Sequence, residues 1–166
     1  MENLYKELRS FFANDMDLND LFGSEAIIWI DWREYDEDVV NYFNDMMDEP
    51  IDIQTVSNGK PYGDDIVLKK GDKELQIPYG DEQDRDVTIK YFNDFIKPDY
   101  EVRWFVESLG NDTLGFTVLS GAEWANLEDE FGADTVRYYF EPINLESNMF
   151  NLDMDEVFAL LALRES

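Results

Sequence analysis

The chain has 166 residues, with 13 Lys+Arg against 39 Asp+Glu and no His, for a formal net charge of −26. Hydrophobic residues make up 44% and aromatics 15%, enough for one ordinary buried core and unlike an acidic disordered tail. The absence of His and Cys excludes Ser-His-Asp and Cys-His catalysis, thiolate or imidazole metal sites and disulfides, and the negative charge opposes direct binding to nucleic acid.

Leu4, Leu8, Phe11 and Phe12 open the chain at helical spacing, and Asp17 or Asn19 is placed to cap a short second turn containing Leu21 and Phe22. Ala26 to Ile30 is short, apolar and bounded by polar residues, which predicts a buried strand. From Asp36 the period changes. Val39, Val40, Phe43, Met46 and Met47 form one helical stripe, Asp36-Glu37-Asp38 stands where a helix N-terminus favours anions, and Pro50 ends the helix. A strand over Ile51 to Val56 follows. The turn-rich stretch from Ser57 to Gly63 comes next, with a turn preference continuing through Gly63-Asp64-Asp65, and then a hairpin of Ile66 to Lys70 and Glu74 to Pro78 about Gly71-Asp72.

The next segment echoes the preceding one. Asp84-Arg85-Asp86-Val87 and Tyr91-Phe92-Asn93-Asp94 follow the pattern of Asp36-Glu37-Asp38-Val39 and Tyr42-Phe43-Asn44-Asp45, with Tyr42 and Tyr91 standing 49 residues apart. Pro98 stops the second helix as Pro50 stops the first, and strands over Tyr100 to Glu107 and Leu114 to Leu119 complete the segment. The echo reads as two β-α-β-β units, 25–71 and 74–120, forming one pseudo-symmetric sheet. Chance combined with a shared helix-start grammar is the competing explanation. Ser120 with Glu123 is a capping box for a helix to Phe131, with Gly132 as its stop. Ala133 to Phe140 fits a helix or a strand, and Asp153 to Leu163 closes the chain as a helix. The expected fold is α+β: a mixed or antiparallel sheet with flanking helices and further C-terminal helices, in one domain over 1–166. Met1 to Tyr5 lacks the start of a secretory signal, and Ala26 to Ile30 is far shorter than the roughly 20 residues of a membrane span, so a cytoplasmic protein with no membrane partner is expected.

Carboxylate pairs are the remaining route to catalysis, but among 39 acids some such pair is inevitable and carries no information. Asp15 to Asp20 starts like a calcium loop, yet Asp20 stands where glycine is required and Ala26 where glutamate is required; the run around Asp153 fails in the same way. Neither glycine-rich phosphate motif occurs. No catalytic residue, metal ligand or cofactor is assigned, and a non-enzymatic protein is expected.

The charge pattern reads as a binding surface, with a solvated face that keeps the protein soluble as the competing reading. Between Ser10 and Gly59 thirteen carboxylates stand against one base, Arg33, whereas Lys60, Lys69, Lys70 and Lys73 cluster about the hairpin. If the helical stripe faces the core, Glu37, Asp38, Asn41, Asn44, Asp45 and Asp48 point outward, and such a face accelerates encounter with a basic protein. Trp32 and Tyr35 lie among Asp31, Arg33, Glu34 and Asp36, as interface anchors or as cover for a sheet edge; the same two readings apply to Trp104 and Tyr62, with less charge around them. The partner-binding residues expected are Asp31, Trp32, Glu34, Tyr35, Asp36, Glu37, Asp38, Asp45, Asp48 and Glu49.

A small, acidic α+β chain without catalytic equipment resembles, in general character, the immunity proteins of bacterial polymorphic and contact-dependent growth-inhibition toxin systems. The resemblance implies neutralisation of a cognate toxin domain, often a basic nuclease, through an active site or an exosite. The alternative is a DNA mimic of the anti-restriction or anti-CRISPR kind, whose carboxylates would stand in for phosphates ~7 Å apart along a strand. The lysine group at Lys60 to Lys73 counts against a uniformly acidic mimic.

Overall fold

The computed structural model describes residues 2–24, 26–31, 36–47, 49–57, 59, 64–78, 85–97, 99–106, 113–143 and 145. Their elements, in order, are α1 (Glu2–Phe12), α2 (Leu18–Phe22), β1 (Ile28–Asp31), α3 (Asp36–Met46), β2 (Asp52–Ser57), β3 (Asp64–Lys70), β4 (Lys73–Gln76), α4 (Arg85–Ile96), β5 (Tyr100–Phe105), β6 (Thr113–Ser120), α5 (Gly121–Phe131), α6 (Ala133–Tyr139) and β7 (Phe140–Pro142). The fold is α+β. Local signals account for many boundaries. Asp17 caps α2 by accepting the Asp20 N–H at 2.8 Å. Ser120 accepts the Glu123 N–H while Glu123 accepts the Ser120 N–H, both at 3.1 Å, which closes the capping box of α5. Gly71 turns the β3–β4 hairpin with φ +59°, a conformation that costs glycine nothing. The ambiguous stretch from Ala133 divides into helix α6 and then strand β7. Asp64 and Asp65, expected in a turn, instead begin β3. The helix expected over Asp153 to Leu163 lies outside the described residues.

Both 28–70 and 73–120 run strand, helix, strand, strand, but they do not form the single sheet expected. Two antiparallel sheets form, in the orders β1-β6-β5-β7 and β2-β3-β4. The first strand of each segment leaves its own hairpin and joins the other: β1 pairs with β6 (Ile28 opposite Phe116), and β4 pairs with β3 (Leu75 opposite Leu68). A lone two-stranded hairpin is marginally stable, so each exchanged four-residue strand completes the other half's sheet and ties the halves together. The correction has a simple cause. Side-chain periodicity tells which face of a strand is buried, not which neighbour it pairs with.

One core joins Ile30, Val102 and Phe116 of the larger sheet, Ile66 and Leu68 of the smaller one, and the stripes of α3 and α4. At its centre Phe43 and Phe92 meet with ring centroids 5.7 Å apart. A second core covers the opposite face of the larger sheet, where Phe105 and Leu119 pack against α1, α5 and α6. Gly115 permits that packing: a Cβ there would stand 2.7 Å from Ile27 Cγ2.

The echoed asparagines have a structural job. Asn44 receives the Ile51 N–H on Oδ1 at 2.8 Å and donates Nδ2 to the Ile51 carbonyl at 2.9 Å, which fixes the entry to β2. Asn93 receives the Val102 N–H at 2.8 Å and donates to the Ile143 carbonyl at 2.9 Å. The β5–β7 register places Val102 opposite Ile143, so the Asn93 amide stands between two backbones just past the end of their ladder. Asn44 was expected to face outward; its double bond to Ile51 turns it along the helix end instead. We expect Asn93→Ala to cost about 2–3 kcal/mol, because a buried N–H loses its acceptor. Asn44→Ala, half-buried and open to water, should cost about 1 kcal/mol or less. Urea unfolding of the two variants measures the difference, and equal costs would contradict the bridging role of Asn93.

Candidate functional site

Helix α3 sorts its residues by side. Val39, Val40 and Phe43 are buried, while Glu37, Asp38, Asn41, Tyr42 and Asp45 are exposed. Glu37, Asn41 and Asp45 follow one another at four-residue steps, with Asp38 and Tyr42 alongside, so one helix face carries three carboxylates and an aromatic ring. Glu37, Asp38 and Asp45 make no salt bridge with a described cation. Past the helix, Glu49 and Asp52 are also exposed, and the Glu49 N–H donates to Tyr100 Oη at 3.0 Å, which pins this turn to the larger sheet.

Asp36 does not belong to that face. It is 3% exposed and accepts the Thr88 hydroxyl of α4 at 3.0 Å, linking the starts of the two equivalent helices. The run Asp36-Glu37-Asp38 contains three acids in a row, and nothing in their local order distinguishes the one that finds a buried donor 52 residues later. Asp31 ends β1 opposite Thr113, half-buried. Trp32, Glu34, Tyr35 and Asp48 lie outside the described residues, as does Tyr62. Trp104 is 2% exposed inside the core and is no surface anchor. The exposed aromatic that sequence reasoning did not single out is Tyr42, 39% exposed between Asp38 and Asp45. Its membership of the echoed Tyr-Phe-Asn-Asp run disguised it, since its counterpart Tyr91 is half-buried against the core.

The neighbouring bases are internally engaged. Lys70 bonds Asp99 at 2.9 Å and Lys69 stands 3.7 Å from Glu74. Lys73 donates to the Phe95 carbonyl at 2.6 Å, satisfying the last turn of α4, and lies 4.7 Å over the Phe95 ring. The Lys70 ammonium is held above its ordinary range, first by its bond to Asp99 and less by the charges of Asp99 and Glu49, against the opposing effect of desolvation. Farther off, Arg103 is 4% exposed, stacked 4.5 Å over Trp124 and paired with Glu101 and, at 2.8 Å, with Glu128. Burial pushes the Glu128 carboxyl up, but hydrogen bonding and charge from Arg103, with Arg137 behind it, outweigh burial and leave it below the usual carboxylate range. This is a structural ion network, although the buried Arg103 Nη1 finds no hydrogen-bond partner among the described residues.

A cleft of about 390 Å³ lies between the ends of α1 and α5, where Arg9 pairs bidentately with Glu130 at 2.8 and 3.0 Å. Among the described residues no group of three or more carboxylates is placed to hold a metal ion, and no helix is long and apolar enough to cross a membrane. No family model, curated relative or solved structure matches the chain.

Proposed function

We propose that this chain is an immunity-type binding protein that neutralises a basic, nuclease-like toxin domain through the acidic face of α3. The observation that carries this reading is the contrast in charge pairing. Glu37, Asp38 and Asp45 stand exposed around Tyr42 without a described cationic partner, while Lys69, Lys70 and Lys73 of the β3–β4 hairpin are tied into internal contacts. Uncompensated acids on a rigid helix repel one another and weaken the fold slightly, so their concentration makes sense for a surface that meets cations of another protein. Tyr42 supplies the apolar contact from which interfaces draw much of their energy. An 11-residue helix is about 16 Å long, room for only two or three phosphate-like steps, which favours a compact protein partner over duplex mimicry.

The test is recovery of partners by the tagged chain from its source lysate at about 50 mM and about 500 mM salt, with each captured protein then assayed for nuclease activity. One partner with a basic domain, whose nuclease activity falls to background at a stoichiometric ratio of this chain, is the expected result. Several unrelated DNA-binding enzymes, all released by salt, would replace this reading with a DNA mimic. A captured enzyme whose activity is untouched would overturn both.

A further inference from the structure

Among the described residues, no strand lies along the outer edge of β2. In the larger sheet β5 lies between β6 and β7, whereas its counterpart β2, the strand that likewise follows a helix and an asparagine bracket, has a neighbour on one side only. The hydrogen-bond phase shows what that edge presents. The Ile66 carbonyl accepts the Ile77 N–H at 2.9 Å, so Ile66 faces the β4 side and makes no ladder bonds with Thr55 opposite it. Thr55 therefore points its N–H and C=O away from the sheet, and by alternation Ile53 and Ser57 do the same. The residues from Ile53 to Ser57 contain no charge and no proline, the devices that normally blunt an exposed edge, and Thr55, Val56 and Ser57 are exposed, Val56 by 50%.

We propose that this edge receives a β-strand of the basic protein partner, which pairs antiparallel along Ile53, Thr55 and Ser57 as β7 pairs with β5 and so extends the smaller sheet to four strands. The inference rests on the binding function above and specifies its mode. Charge selects the occupant. Asp52 begins the strand, and the exposed Glu49 and Asp45 lie just before it in the chain, so an incoming strand bearing lysine or arginine meets carboxylates at that end. A second copy of this chain, itself at −26, meets them with like charge. Main-chain bonds supply the affinity of such strand addition and the flanking charges its selectivity.

The experiment is amide hydrogen exchange on the labelled full chain, alone and with a peptide of about eight residues alternating lysine and valine, at about 50 mM and about 500 mM salt. Without peptide, the Ile53, Thr55 and Ser57 amides should exchange at least about 100-fold faster than those of Gln54 and Val56, which face β3. The peptide should slow those three by about tenfold or more at low salt, and a version N-methylated at alternate residues should not. Thr55→Pro removes an outward N–H that the fold does not use, so it should abolish the protection with little change in midpoint of unfolding, while Thr55→Ala keeps it. Protection without peptide that rises with protein concentration would assign the edge to a second copy; concentration-independent protection would assign it to another segment of this chain. Either overturns the proposal. Peptide binding that perturbs α3 but leaves the three amides untouched would refute strand docking while leaving the acidic binding face intact. No binding by the peptide overturns the docking mode, and the partner-recovery experiment then decides the binding function independently.

Discussion

Replacing Glu37, Asp38 and Asp45 together with lysine should slow association with the proposed basic partner by about 10- to 1000-fold at low salt and flatten the salt dependence of the rate. The three side chains are exposed on one face of α3 and hold no described cation, so their reversal removes no ion pair among the described residues. Two opposing local effects nearly cancel in stability. Lysines in the first turn of α3 lose a favourable interaction with the helix dipole, about 0.3–1 kcal/mol each, while relief of like-charge repulsion and a cation near the last turn return a few tenths each. The net charge changes from −26 to −20, so a control must make the same change elsewhere. Lysine at Asp94, Asp129 and Asp134, all exposed and on other helices, does so. Stopped-flow association of the captured nuclease with both variants separates local from global charge. Equal slowing by the control would mean that overall charge, not the α3 face, steers encounter; an unchanged rate in the α3 variant would place the binding surface elsewhere.

Phe92→Ala should destabilise the fold by about 3–5 kcal/mol, a large share of the 5–15 kcal/mol typical of a whole domain. Phe92 is fully buried and its ring meets Phe43, which in turn meets Phe116 edge-on at 6.0 Å. Removing the ring opens a cavity bordered by both helices, and the surroundings are held by two sheets that exchange strands, which limits collapse. Because β1 and β4 each complete the other half's sheet, both sheets should be lost in one transition, with near- and far-ultraviolet circular dichroism coinciding in urea. Phe43→Ala should cost a similar amount. The double variant should then cost less than the two single losses combined by about 0.5–1.5 kcal/mol, the interaction of an aromatic pair at this distance. A single-variant cost below about 1.5 kcal/mol would mean that the two rings are not at the centre of the fold.

Element type was legible because it is local. The stripes of α3 and α4, the Asp17 cap, the Ser120–Glu123 box and the Gly71 turn each depend on residues within a few positions of one another. The reading failed where a residue's partner is remote. Asp36 was counted with its outward neighbours until Thr88 claimed it, Asn44 was read as outward although the Ile51 backbone holds it, and Trp104 stood open between surface anchor and structural cover until its strand proved to be covered on both faces. Tyr42 was hidden by its likeness to Tyr91, since the same residue in the same local motif is exposed in one copy and packed in the other.

By itself, the sequence determined that this protein is an acidic α+β chain without histidine or cysteine chemistry, with its carboxylates concentrated before Gly59 and two echoing helices. Tertiary structure alone decided that the echoing segments exchange their first strands, that two sheets rather than one result, and that β2 has a strand on one side only among the described residues. The physical reason is the range of the interactions. Helix periodicity, capping and charge are written within a few residues, but strand pairing uses backbone groups common to nearly all residues, and their choice of partner depends on remote packing such as the Phe43–Phe92 contact between the two halves.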